Sequence, residues 1–235
     1  MTAMDAGSGD HAYYDKSRDD VVAVIPRDAR DVLDVGCAGG GLGRALKADR
    51  PGVRVRGIEP VAAQAERARA VLDAVIVGSF DEQTVIPTDW PAPDCIVFAD
   101  VLEHMADPWR AVRRARAVLR PGGTLVVSLP NVVHASVTLP LLCGRFEYEE
   151  FGVLDRTHLR FFTRSSGIAL IESGGFAVHE VRRNLDWHTA RFDERRLHGA
   201  LHRALSWERT RAPRFFAPLA RVADLLTQQY LLVAR

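Results

Sequence analysis

The chain has 235 residues, 47% of them hydrophobic, enough to bury the core of one α/β domain. Its 31 basic and 30 acidic side chains leave a net charge of +1, which excludes the broad basic footprint that grips a phosphate backbone, so nucleic acid is not an expected partner. No apolar run approaches the roughly 20 residues of a membrane span, and the first ten residues lack the basic-then-apolar order of a signal peptide. Cys37, Cys95 and Cys143 stand without a C-x-x-C pair, which argues against a disulfide framework or a thiolate zinc site. The expectation is a cytoplasmic protein with no membrane partner.

Residues 1–10 are small and polar, a composition that buries too little surface to order itself, and are expected to form a loose arm. Residues 11–26, HAYYDKSRDDVVAVIP, read as a helix whose valines pack on a sheet. From Asp31 onward the runs DVLDV, VRVRGIE, AVIV, DCIVFA and TLVVSL alternate with helical or loop segments, the mark of βα units in a parallel sheet. The helix after the first strand covers residues 41–48. The next opens at Pro60, and the one following the fourth strand takes Asp107 as its N-cap, Pro108 behind it and Pro121-Gly122-Gly123 as its stop.

Beyond Asn131 the period becomes irregular. Residues 132–163 read as an insertion over the site, and residues 187–226 as a second, arginine-rich and helical one. Between them a helix over residues 165–173, closed by Gly174-Gly175, leads to the strand FAVHEVRR, and QQYLLVAR makes the last strand. The fold expected is therefore one α/β domain over residues 1–235. It is a Rossmann-like, open, seven-stranded and mostly parallel sheet with helices on both faces and a cap after the fifth strand.

In such sheets ligands bind beyond the carboxyl ends of the strands. The first such turn is Asp34-Val35-Gly36-Cys37-Ala38-Gly39-Gly40-Gly41, whose glycines allow positive φ and close backbone approach, with a helix start aimed at the same space. The second strand ends in Glu59-Pro60, an acid about 20 residues past the glycines, placed to accept hydrogen bonds from both hydroxyls of a ribose. A dinucleotide is disfavoured because no G-x-G-x-x-G is present, and a P-loop because no G-x-x-x-x-G-K-[ST] is. What remains is an adenosine-bearing ligand without pyrophosphate.

The segments VLDVGCAGGGLGRAL, GIEP and FADVLEHMADPWRAVRRARAVLRPGGTLVVSLPN, spanning residues 32–131, resemble the class I S-adenosylmethionine-dependent methyltransferases. Ala38 stands where the family's D-x-G-x-G-x-G turn has its second glycine. The resemblance implies that Gly36, Cys37, Ala38 and Gly40 hold the methionine portion of S-adenosylmethionine. It places Asp34 on the ammonium through water or backbone, and Glu59, beside Pro60, on the ribose. Ser79 and Phe80 flank the adenine, and Asp100, Val101 and Leu102 line the sulfonium end, with His104 on the same loop; Tyr14 would come in with the N-terminal segment. The bland readings are a core role for Phe80 and a loop-capping role for His104.

Methyl transfer from a sulfonium needs alignment and exclusion of water, and a hydroxyl acceptor also needs its proton removed. The stretch DRTHLRFFT resembles a segment of bacterial methyltransferases found beside small-molecule tailoring enzymes, which supports His158 as the base, oriented by Asp155. The competing reading is a structural hydrogen-bond knot. His134 is the reserve base, and Asn131 and His134 are expected near the acceptor. Arg145, Arg156 and Arg160 either converge on an anionic acceptor or pair with Glu147, Glu149 and Glu150 on a solvated face. A metal-assisted variant would use Asp100 and Asn131 but lacks a third ligand, so no metal is expected. The function expected is methyl transfer to a hydroxyl of a small molecule, whether secondary metabolite, saccharide or anionic metabolite. N-methylation and a catalytically inactive cofactor-binding subunit are the alternatives. The oligomeric state stays open, a homodimer among the options.

Overall fold

The computed structural model describes residues 18–185 and 223–235, so Tyr14 and residues 187–222 of the second expected insertion lie outside the described residues. The described residues form two compact units, one made of 18–99 and 118–124, the other of 100–117, 125–185 and 223–235.

The first unit carries four strands, β1 (Asp31–Val35), β2 (Arg54–Glu59), β3 (Ala74–Val77) and β4 (Cys95–Ala99), in the spatial order β3-β2-β1-β4. All three neighbouring pairs are parallel, and the register sets Asp34 beside Gly57 on one side and Val97 on the other. Every residue of β1 is buried, as the continuous apolar run of a central strand requires. The connections are α2 (Gly41–Asp49) after β1 and α3 (Ala62–Arg69) after β2, with α1 (Asp19–Val22) ahead of the sheet. At Gly57 a Cβ would run into the Cys37 sulfur and Leu72, so a glycine there lets the turn after β1 lie flat on β2.

Charges at the start of β1 are tied into the backbone. Asp31 takes Arg54 Nε at 2.9 Å and Nη2 at 2.7 Å, and Arg56 Nη2 at 3.1 Å. Asp94 accepts the backbone N–H groups of Arg30 and Asp31 at 2.6 and 2.9 Å. Arg50, buried at the end of α2, donates to the carbonyls of Pro26, Val22 and Ile25 at 2.7, 2.9 and 2.9 Å, which satisfies the carbonyl end of the N-terminal turn. Of the helix expected over residues 11–26, the described residues are helical only over Asp19–Val22, where Val21 and Val22 are buried.

In the second unit α4 (Pro108–Val118) begins behind Asp107, whose Oδ1 accepts from Arg110 N at 2.9 Å, the expected cap. Its strands are β5 (Thr124–Pro130), β6 (Val178–Leu185) and β7 (Thr227–Ala234), ordered β5-β7-β6. Both pairings are antiparallel, because β7 enters between β5 and β6 running against each. The seven strands read from the sequence are all present, parallel in the first unit and antiparallel where β7 pairs in the second. The segment after β5 folds into α5 (Ala135–Leu142), a series of turns, and α6 (Arg164–Ser173), started by a reciprocal Thr163–Ser166 capping box. Among the described residues no helix is long and apolar enough to cross a membrane.

Replacing Arg50 by Met removes three charge-assisted hydrogen bonds to buried carbonyls and is expected to cost about 2–3 kcal/mol, seen as a lower urea midpoint with an unchanged m value. A loss below about 0.5 kcal/mol would show that water takes over those carbonyls.

Candidate functional site

The turn after β1 is built on left-handed backbone: Gly36, Ala38 and Gly40 have φ of 71°, 44° and 83°. Two of the three are glycine, for which this costs nothing. Ala38 carries a Cβ there at a cost of about 1 kcal/mol. Gly36 N donates to Ile58 O at 2.8 Å and Gly40 N to Cys37 O at 2.8 Å, which folds the turn against the end of β2.

Glu59, the last residue of β2, closes this turn. Its Oε2 accepts from Ala38 N and its Oε1 from Val61 N, both at 2.9 Å. Each oxygen is oriented by one backbone N–H and keeps a second lone pair, which suits a pair of vicinal hydroxyls. Burial raises the Glu59 pKa, and the two backbone donors work against that rise. Asp34 lies beneath the turn, 2% exposed. Burial first and the Glu59 charge second push its pKa from an ordinary 3.8 up to about 7, with Arg18 acting the other way. The N-cap of α2 is Gly40, and among the described residues no side chain caps it, so the first N–H groups of that helix suit an anionic ligand group. A carboxylate for ribose hydroxyls, a buried acid that a cation would ionise, and a helix start for a carboxylate together match the adenosine and amino-acid parts of S-adenosylmethionine.

The other expected cofactor contacts of this unit are distributed unevenly. Pro60 and Ser79 are exposed at the strand ends. Cys37 points its sulfur inward against Gly57, so only its backbone belongs to the turn. Phe80 is 4% exposed and packs edge-to-face on Phe98 at 5.5 Å, the core role rather than an open shelf.

In the second unit the residues after β4 form a tight turn. Asp100 sits at φ 58° and accepts from Ser128 Oγ at 2.7 Å and from Gln229 Nε2. Val101 is half-buried and Leu102 fully buried, the latter opening a 3₁₀ turn at Leu102–His104. The loop of the insertion is tied to this turn: Leu159 N and Arg160 N donate to Glu103 O at 2.8 and 3.0 Å, and Arg160 Nη2 donates to Ala106 O at 2.6 Å.

This tie brings His104 and His158 together, their rings edge-to-face at 4.7 Å. The expected pairing of Asp155 with His158 is corrected. His158 Nδ1 instead meets Val153 O at 3.0 Å, while the Asp155 carboxylate accepts from Thr157 N at 2.7 Å and Thr157 Oγ1 at 2.6 Å, and Thr157 Oγ1 meets His104 Nδ1 at 3.1 Å. The order Asp155–Thr157–His104 follows from the Asx turn, which spends the short carboxylate on its own loop and leaves the longer reach to the threonine. Desolvation, then the neighbouring His158, lower the His104 pKa, so its ring is neutral near pH 7. Glu103, 1% exposed, completes the cluster, and neither it nor Thr157 was singled out from the sequence. The available signal was a glutamate directly before a strand-end histidine, in a turn too short to send both side chains to solvent.

Two further candidates have structural duties. Asn131 is fully buried: its Nδ2 donates to Asp224 O and Thr227 O at 2.7 and 2.8 Å, and its Oδ1 accepts from Val133 N at 3.1 Å. His134, the reserve base, is the N-cap of α5, its Nδ1 2.8 Å from Ser136 Oγ and accepting from Ser136 N. Arg145 is exposed, and Arg156 lies 3.6 Å from Glu150 with both side chains exposed, the solvated-face arrangement. Arg160 is spent on carbonyls. The insertion does gather aromatic rings: Phe161 stands 6.3 Å from His158, 6.0 Å from Phe146 and 6.5 Å from Tyr148.

Comparison with known proteins gives a family model described as a methyltransferase domain, matching residues 10–181. An uncharacterised 37.1 kDa protein in transposon TN4556 of Streptomyces fradiae is 38% identical over 122 residues, 50% of this chain and 35% of that protein. A ubiquinone biosynthesis O-methyltransferase of Cupriavidus pinatubonensis is 29% identical over 167 residues, 65% of each chain. The chain thus covers less than two thirds of either relative. Among solved structures, a SAM-dependent methyltransferase of Thermotoga maritima, described as a possible histamine N-methyltransferase, aligns with a TM-score of 0.63 at 19% identity, covering 95% of this chain and 90% of that one.

The raised pKa of Asp34 carries a sign. Its contribution to stability is complete below the unfolded value near 3.8 and is lost as pH rises through about 7, where the folded chain must hold a buried charge. Asp34→Asn mimics the protonated acid, so the stability of the wild type relative to this variant should fall by about 2 kcal/mol between pH 5 and pH 8. Urea midpoints at the two pH values check it, and midpoints that move in parallel would show that Asp34 ionises normally.

Proposed function

The chain belongs to the family of methyltransferase domains that use S-adenosylmethionine, and from that premise we propose that it methylates a hydroxyl on a small aromatic acceptor. The donor supplies an activated methyl on a sulfonium sulfur. The chain's own residues bind and orient: Glu59 takes the ribose hydroxyls with the lone pairs its backbone contacts leave over, Asp34 answers the ammonium, and the start of α2 receives the carboxylate.

A hydroxyl is a poor nucleophile until its proton is drawn away, whereas a neutral amine needs no such help. The observation that carries the O-methylation reading is the cluster of Glu103, His104 and His158. Here a neutral, exposed imidazole is held in orientation by Thr157 and Asp155. We assign the ionisation of the acceptor hydroxyl to this cluster. The Phe146, Tyr148 and Phe161 rings beside His158 favour a planar aromatic body, and a phenolic hydroxyl is also the more readily ionised kind. The relative named for O-methylation in ubiquinone biosynthesis agrees with this chemistry.

The test is release of S-adenosylhomocysteine with matched phenol and aniline acceptors. Phenols are expected to turn over and anilines not, and His104→Ala is expected to lower kcat by about 100-fold while the affinity for S-adenosylhomocysteine changes less than about twofold. Methylation of anilines with phenols untouched would replace the proposal with N-methylation. Cofactor binding without turnover on any acceptor would favour a non-catalytic subunit.

A further inference from the structure

Two acids meet at the ends of β1 and β2, and their surroundings treat them unequally. The register sets Asp34 beside Gly57, and the strand period of two puts Glu59 on the face of the sheet that position 57 shares with Asp34. Glu59 has a backbone N–H on each carboxylate oxygen, from Ala38 and from Val61, both at 2.9 Å. Asp34 is buried on a strand that is buried along its whole length, and among the described residues no hydrogen bond reaches its carboxyl group. A negative charge there has almost no water and no donor to hold it.

The groups that face Asp34 decide which form it takes. From β2 it meets the charge of Glu59, from the turn the thiol of Cys37 and from β4 the thiol of Cys95, while Arg18, ahead of α1, acts in the opposite sense. Burial holds both thiols uncharged. Arg18 is itself engaged by Asp20 at 3.0 and 3.1 Å. With Glu59 kept as the anion by its two donors, the charge given up in the free protein is that of Asp34. Burial and the Glu59 charge accordingly raise its pKa to about 7.

On the reading that Asp34 answers the ammonium of the cofactor, we infer that the amino-acid part of the cofactor is taken up in exchange for a proton, Asp34 being a neutral acid in the free protein and a carboxylate beneath the bound ammonium. The O–H bond of its carboxyl group breaks, the electron pair stays on the oxygen and the proton leaves to solvent, so one cation replaces another in the buried turn. The ribose contact on Glu59 takes no part, because hydroxyls bring no charge. Below a pH of about 7 the ligand must expel the proton, and affinity falls as pH falls; above it the carboxylate is already formed and affinity levels off. Cofactor loading therefore responds to pH across neutrality, whichever acceptor is methylated.

The test is calorimetric titration of the full chain with S-adenosylhomocysteine at pH 6 and pH 8, each in two buffers of different ionisation heat, so that the difference in heat counts protons. Release of about 0.9 proton per ligand at pH 6 and about 0.1 at pH 8 is expected, with binding about tenfold weaker at pH 6. 5′-Methylthioadenosine, which keeps the nucleoside and lacks the amino-acid part, is expected to bind without proton release at either pH. In Asp34→Asn the release at pH 6 is expected to vanish and the two affinities to agree within about twofold. The comparison of the two ligands on the wild type decides the matter independently of that variant. S-adenosylhomocysteine binding with no proton released at pH 6, or equal release with methylthioadenosine or in Asp34→Asn, overturns the exchange and leaves the cofactor reading standing. Absence of binding heat at both pH values in every buffer overturns the cofactor reading and the exchange with it.

Discussion

The contact on which the cofactor side depends is the carboxylate of Glu59 spanning two backbone donors. Ala38 N belongs to the turn after β1 and Val61 N to the start of the chain after β2, so one side chain joins the ends of two neighbouring strands. The carboxylate is bound by fixed donors and is oriented before any ligand arrives, which lowers the ordering cost of binding. Ala38, at positive φ, donates its N–H to Glu59, and a hydrogen bond to a charged acceptor offsets strain of the size its Cβ brings.

Asp34 follows from this arrangement. A second acid beneath the first, shielded from water, cannot ionise easily beside Glu59, so the apo turn holds part of its charge in reserve. A ligand that brings its own cation removes that penalty, whereas a neutral nucleoside does not. Such a turn would favour a cationic ligand by charge as well as by shape, with side chains that are individually ordinary.

How much of this was legible in the sequence depends on the range of the interactions involved. The strands of the first unit and the place of Glu59 beside the glycine turn could be read because period, glycine placement and strand-end position are local properties. The cap at Asp107 and the stop after Ser173 were legible for the same reason. Antiparallel β7 was legible as a strand but not in its direction, since that is set by which neighbours it meets. His134 and Asn131 looked chemical because polar residues follow a strand, yet one caps a helix and the other ties β5 to the chain before β7. Phe80 looked like a shelf and is core, a distinction made by Phe98, eighteen positions away.

The histidine cluster is the sharpest case. Sequence proximity assigned Asp155 to His158, three residues apart, because both sit in one short motif. The chain instead uses Asp155 to brace its own turn, passes the contact through Thr157, and delivers it to His104, 53 residues earlier. That long contact exists because the backbone of Leu159 and Arg160 is pinned to the carbonyl of Glu103, an interaction blind to side-chain identity. Once the pin is in place, the alternatives for the two imidazoles narrow: each has Nδ1 committed to the scaffold, His158 on a carbonyl and His104 on a hydroxyl, with the rings edge-to-face. The two rings are held by one set of contacts, which is why the proton abstraction proposed above is assigned to the cluster rather than to any single histidine.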